Sequence, residues 1–195
     1  MKTFLGFAAA AALVTTMSVT TANAAVLYAS QVDSFNQGAI IHTSPGRDNP
    51  ANALGASDGV FLSLGLGGDA TFSFGTPAGA SFGSPGMVVE VTKGKRSDHV
   101  ESINIYGING MTQTLIGSVI NSGANAFATS FSFLFTGFFT QLKLVDTSPA
   151  GGGSTDGFDI DSISVTPAPV PLPAGGLLLL SAIAGIAALR RRKAA

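Results

Sequence analysis

Between residues 25 and 166 no apolar pattern runs long enough to make a helix; short stretches of alternating apolar and polar residues are cut by glycine or proline every few positions. Alternation with a period of two marks a strand with one buried face, whereas an amphipathic helix needs spacings of three and four. Thr71-Phe72-Ser73-Phe74 alternates cleanly, as does Ser102-Ile103-Asn104-Ile105-Tyr106. Phe127, Thr129, Phe131, Phe133 and Phe135 point one way, with Ala128, Ser130 and Ser132 opposite, and Leu142 and Leu144 alternate with Gln141 and Lys143. Further strands are expected near 26–30, 39–43, 60–64, 87–92, 114–120 and 158–165. The 25 glycines and nine prolines supply the turns between them. About eight to ten short strands with frequent turns predict an all-β domain, an antiparallel sandwich or jelly roll. Phenylalanine, with 14 copies, is the main bulky core residue, while tryptophan is absent and tyrosine occurs only at 28 and 106.

Both ends of the chain lie outside this pattern. Met1 and Lys2 open a short basic region, an apolar run follows from Phe4 to Val14, and a Thr/Ser segment ends in Ala22-Asn23-Ala24. This is the build of a secretory signal peptide over residues 1–24, with Ala22 and Ala24 as the small residues before the cut and Ala25 as the new N-terminus. The partner it calls for is signal peptidase. At the other end, residues 174–189 carry no charge and are followed at once by Arg190, Arg191, Arg192 and Lys193. Sixteen helical residues span roughly 24 Å, slightly short of a bilayer core of about 30 Å, and snorkelling arginines make up the difference. The reading is a C-terminal transmembrane helix with a basic cytoplasmic tail, 190–195, and the body outside.

The body of residues 25–166 is long enough for one domain with its own core. It holds all eleven acidic residues and five basic ones, a formal charge of −6. An acidic domain without a basic face argues against nucleic acid as a partner. The lack of cysteine excludes disulfides, thiolate metal sites and a cysteine nucleophile.

The linker 167–173 leads into Val170-Pro171-Leu172-Pro173-Ala174. This motif, then an apolar helix, then the Arg190–Lys193 cluster, resembles the VPLPA class of PEP-CTERM sorting signals over about the last 26 residues. The resemblance implies processing near the proline motif by an exosortase, a membrane protease of bacteria, and a link to biofilm or exopolysaccharide. Two prolines keep the motif out of a helix and leave an extended peptide outside the bilayer. In the body, Asn52-Ala53-Leu54-Gly55, Ser57-Asp58-Gly59, Ser63-Leu64-Gly65-Leu66-Gly67-Gly68, Phe72-Ser73-Phe74-Gly75 and the closing Gly157-Phe158-Asp159-Ile160-Asp161 resemble secreted bacterial β-sandwich domains. That resemblance implies a galactose-binding-like jelly roll, a fold common in carbohydrate-binding modules.

The strongest chemical candidate is Asp156-Gly157-Phe158-Asp159-Ile160-Asp161. Strand period puts Asp159 and Asp161 on one face with Ile163 and Val165. Buried carboxylates need partners, and calcium, which takes six to eight oxygens, would supply one through Asp159, Asp161, Asp156 and Asp58, with Asp146 or Glu90 joining through folding. The competing reading is that both aspartates accept hydrogen bonds from the Gly151–Gly153 loop or face solvent. Gly55-Ala56-Ser57-Asp58-Gly59 has the letters of a nucleophile elbow, but that motif works only at a strand-to-helix turn, so it reads as an ordinary turn. Gly65-Leu66-Gly67-Gly68-Asp69-Ala70 has the letters of a dinucleotide fingerprint without the βαβ context, and reads as a turn between strands. His42 and His99 are isolated, and Lys93-Gly94-Lys95-Arg96 reads as a solvated loop with some attraction for acidic polysaccharide.

Three functions compete. The first is an exported, non-catalytic protein of the cell surface or extracellular matrix. The second is a calcium-assisted carbohydrate-binding module, which an exposed aromatic row would favour and burial of the rings would disfavour. The third is a secreted hydrolase, for which no two acids are placed as a pair.

Overall fold

The computed structural model describes residues 25–40, 46–92, 100–122, 128–150, 153–169 and 182–184. The signal segment 1–24, the motif Val170–Ala174, the Arg190–Lys193 cluster, His42, His99 and the Lys93–Arg96 loop lie outside the described residues. Among the described residues no helix is long and apolar enough to cross a membrane.

The body is a nearly closed antiparallel β-sandwich of nine strands: β1 Leu27–Asn36, β2 Leu62–Ser63, β3 Asp69–Phe74, β4 Phe82–Glu90, β5 Val100–Asn109, β6 Thr112–Ser122, β7 Thr129–Phe133, β8 Gln141–Asp146 and β9 Asp159–Pro167. One sheet runs β6-β5-β8-β3-β1, the other β1-β9-β4-β7, with β2 also pairing β9. β1 belongs to both. Leu27 and Tyr28 pair with Val165 and Ser164 of β9, then register shifts between Ala29 and Gln31 and between Val32 and Ser34 turn the strand onto β3. Bulges bend a strand and raise its twist, which is how one strand passes from one sheet to the next.

The alternation seen in the sequence places the core. Phe72 and Phe74 of β3, Ile103 and Ile105 of β5 and Leu142 and Leu144 of β8 are all fully buried between the sheets. Phe74 meets Phe82 of β4 edge to face, ring centres 4.8 Å apart. Several strand boundaries differ from expectation. β4 starts at Phe82 rather than near 87, because the register shift between Gly83 and Gly86 accommodates Pro85, which cannot donate to a ladder. The strand expected near 60–64 shortens to Leu62–Ser63; of the 39–43 stretch residues 39 and 40 are described, and Ala39 forms a bridge to Leu66. β9 reaches Pro167, and Ala168 N–H still donates to Ser81 O at 3.0 Å, so the fold runs slightly past residue 166.

The two ends of the sandwich have different chemistry. At one end lie Asp69, Glu90, Glu101, Asp146, Asp156 and Asp159, where β3, β4, β8 and β9 meet their loops. At the other, β1 begins beside the finish of β9, so Ala25 and Pro169 leave the body together.

Candidate functional site: a buried carboxylate network

Asp161 sits where β9 slips against β4. Val89 pairs Ser162 and Glu90 pairs Ile160, so Asp161 is the extra residue of a bulge. The slip breaks the strict alternation: Ile160, expected opposite Ile163 and Val165, joins them in the core. Asp161 is 1% exposed. It accepts hydrogen bonds from Ser57 Oγ, from Asp58 N–H at 3.1 Å and from Gly59 N–H at 3.2 Å. The Gly55–Gly59 segment is thus a turn wrapped round a buried carboxylate, and no helix follows it. Asp58 points its own carboxylate at Val60 N–H, 2.8 Å away, in a local turn. The backbone amides that Asp161 meets belong to residues 58 and 59, while Gly151 and Gly152 lie outside the described residues.

Asp146 does the same work at the neighbouring loops. It accepts from Gly67 N–H at 2.9 Å, Phe158 N–H at 2.9 Å and Ser148 Oγ at 2.6 Å, tying the glycine turn before β3 to the start of β9. That glycine turn, Gly65–Gly68, closes with Gly68 N–H donating to Gly65 O at 2.9 Å. It is a turn between β2 and β3, which disposes of the dinucleotide reading. Gly157 packs straight onto it. Its φ is +76°, and a Cβ there would lie 2.6 Å from Gly65 backbone atoms, so only glycine fits.

Asp156 takes Arg47 as its partner, Nη1 to Oδ2 at 2.6 Å, and the guanidinium also lies 4.8 Å over the Phe61 ring. Lys143 is engaged as well, at 3.0 Å from Asp69. Asp159, 4% exposed, accepts from Ser63 Oγ. Burial, and then the nearby Asp156, push the Asp159 carboxyl well above the usual carboxylate range.

Deeper in, Glu90 and Glu101 form a pair. Glu90 accepts from Thr92 Oγ1 at 2.7 Å and Asn121 Nδ2 at 2.5 Å, and Glu101 accepts from Ser154 Oγ at 2.9 Å. The two carboxyl groups are near enough for each to shift the titration of the other. Burial pushes Glu90 above its ordinary value, and burial reinforced by Asp159 and Glu90 pushes Glu101 up to about 10. Glu101, raised to about 10, therefore keeps its proton at neutral pH. Glu101 was not singled out in the sequence, although its signal is there: it is in phase with the buried Ile103 and Ile105, as Glu90 is with Val88.

The four residues named for calcium are divided between two places. Asp161 and Asp58 face the 57–60 turn, while Asp159 and Asp156 share Ser63. Among the described residues no three acidic or histidine side chains converge as a metal ion would require. Chemically, the network joins the loops at the acidic end to one another through the fold's own hydroxyls, amides and one guanidinium.

No family model matches the chain, and no curated protein does. Solved structures of similar shape include a family 32 carbohydrate-binding module from a family 31 glycoside hydrolase of Clostridium perfringens, 13% identical over 72% of this chain and 90% of that one, with a TM-score of 0.47. A second family 32 module from Clostridium perfringens, in complex with galactose, is 18% identical over 63% of this chain and 88% of that one, TM-score 0.45. A family 35 carbohydrate-binding module from an environmental isolate is 17% identical over 74% and 98%, TM-score 0.40. Likenesses at this level say nothing about a shared ligand; the sandwich itself stands on the strand pairing above.

Proposed function

We propose that this chain is an exported, non-catalytic β-sandwich of the cell surface or extracellular matrix. Its signal segment delivers it across the inner membrane, residues 174–189 hold it there, and an exosortase-type protease acts near Val170–Ala174. The observation that supports a structural role is the carboxylate network. The acids that would have to carry chemistry, Asp146, Asp156, Asp159 and Asp161, are each bonded to backbone amides, serines or Arg47 of their own fold. Ser57, the only letter-match to a nucleophile, donates to Asp161.

Carbohydrate binding is the second reading, and the like-shaped modules bring galactose and polysaccharide to mind as ligands. It needs aromatic platforms. Among the described aromatic side chains, Tyr28 at 39% and Phe138 at 54% are exposed, while Phe61, Phe72, Phe74, Phe82 and Phe158 are buried. Two rings do not make a row, which favours the structural role.

The test is the intact mass of the protein recovered from the producing cell's surface and medium. A start at Ala25 and an end near the proline motif are expected, and a full-length mass would sink the processing. Binding of the same material to the producer's exopolysaccharide, abolished in Tyr28→Ala or Phe138→Ala, would raise the second reading above the first.

A further inference from the structure

The two chain ends leave the sandwich at its uncharged pole. The segments that form this pole are 25–26, the 75–81 loop between β3 and β4, the 109–112 turn between β5 and β6, the 134–140 loop between β7 and β8, and 167–169; none contains a charged residue or a histidine. They pack on one another: Ala168 N–H donates to Ser81 O, Phe82 and Phe139 exchange backbone hydrogen bonds, and Thr140 N–H donates to Ile108 O. An open groove of about 770 Å³ lies among them, lined by Leu27, Pro77, Phe138 and Pro169. Large apolar side chains nevertheless point outward here. Met111 is 99% exposed, Leu134 79%, Val26 55% and Phe138 54%. Ile120 of β6, also exposed, lies toward the opposite end of the sandwich, where it pairs with Ser102. A concentration of apolar tips on one pole whose loops carry no charge, with most of the acids gathered at the other and Asp33 of β1 beside it on Ser73 and Gln141, marks a surface built for an apolar partner.

The chain itself identifies that partner. Only residues 170–173 separate Pro169 from the uncharged run 174–189. From Pro169 to Ala174 the backbone reaches at most ~18 Å even when fully extended. The headgroup layer on one side of a bilayer takes up about 5–8 Å of that. A body tethered so closely at this pole has little choice but to present it to the membrane.

We propose that the uncharged pole of the sandwich rests on the lipid surface while the anchor is uncut, with Met111, Leu134, Phe138 and Val26 entering the boundary between headgroups and acyl chains. The proposal rests on the reading of 174–189 as a membrane anchor. Tyr28, at the same pole, fits the headgroup level, where aromatic rings with a polar tip gather. With no cation at this pole the contact is apolar. It is insensitive to salt and to anionic lipid, unlike a polybasic patch.

The absence of cysteine makes the test direct, because single cysteines can be labelled without background. The full chain is placed in phosphatidylcholine vesicles containing a nitroxide-bearing lipid, with an environment-sensitive fluorophore at Met111→Cys, Leu134→Cys, Ala150→Cys or Leu180→Cys. Ala150 lies in the loop after β8, at the acidic pole. The ten residues of β5, which link the poles, span about 33 Å, so a lipid quencher separates them clearly. Quenching of most of the emission at 111, 134 and 180, with the label at 150 untouched and no change when anionic lipid is added, is the expected result. Quenching at 180 without quenching at 111 or 134, or equal quenching at 111 and 150, overturns the resting pole and leaves the anchor standing. No quenching at 180 overturns the anchor, and with it the proposal.

Discussion

The buried pair Glu90–Glu101 makes the fold's stability fall as pH rises, the reverse of what paired carboxylates usually do. The carboxyl of Glu101 moves from an ordinary value of 4.5 to about 10 on folding, first through burial and then through Asp159 and Glu90. Its folded value is raised. The folded state therefore keeps a proton that the unfolded chain gives up, and the stabilisation is complete below pH 4.5 and drains away between 4.5 and about 10. Over that window one retained proton is worth about 1.4 kcal/mol per pH unit, so roughly 4 kcal/mol is lost between pH 5 and pH 8. At a urea dependence of about 2 kcal/mol per molar, the unfolding midpoint of residues 25–169 falls by about 2 M. Burial shifts Glu90 and Asp159 in the same direction, which reinforces the slope. In Glu101→Gln the amide oxygen still accepts from Ser154, and a neutral group of the same shape stands beside Glu90 without a titrating proton. The variant is expected to match the natural chain near pH 5 and to exceed it at pH 8. A midpoint independent of pH in the natural chain, or a Glu101→Gln loss equal at both values, would refute the retained-proton reading.

Other outcomes follow from the same network. Asp161→Asn presents an amide where three donors converge and is expected to cost about 1–3 kcal/mol, whereas Asp58→Asn, exposed and still able to form its turn, should stay within ~0.5 kcal/mol by chemical denaturation. Gly157→Ala forces a left-handed backbone and a Cβ against Gly65, and is expected to lose about 3 kcal/mol or to fail to fold, while Gly46→Ala, with open space around it, should pay only for its φ, about 1–2 kcal/mol. With internal donors already in place, melting temperatures in calcium and in chelator are expected to agree; a higher value in calcium would show that Asp159 and its neighbours open to a shared ion.

Much of the body could be read from the chain. The alternation at 71–74, 102–106 and 141–144 gave the right strands and the right buried face, because these strands run without an extra residue of their own and the bulges fall on their neighbours β1 and β6. The reading failed where pairing slips. Asp161 and Ile160 could not be placed, because the bulge that reverses their faces is set by β4, some seventy residues earlier. The carboxylate cluster was half visible. Asp156, Asp159 and Asp161 stand together in sequence and drew attention, while Glu101 and Asn121 come from β5 and β6 and meet Glu90 only through the sheet. Charge sequestration at one pole was invisible for the same reason: the five uncharged segments of the other pole are scattered over 145 residues, from 25 to 169.

That segregation also explains how a domain without disulfides closes its long loops. The loops at the acidic pole are irregular and expose backbone N–H groups that no ladder satisfies. Asp146 and Asp161 between them take up N–H groups of residues 58, 59, 67, 148 and 158. A charge-assisted hydrogen bond is roughly twice as strong as a neutral one, so two carboxylates join segments far apart in sequence, a task that secreted domains often give to cystines. The shortest connection at the opposite pole needs no such tie: Gly110 and Met111 turn β5 into β6 alone. Most of the acids are therefore gathered where loop closure demands them, and the pole whose loops they leave bare of charge is the one from which the chain runs toward its apolar tail.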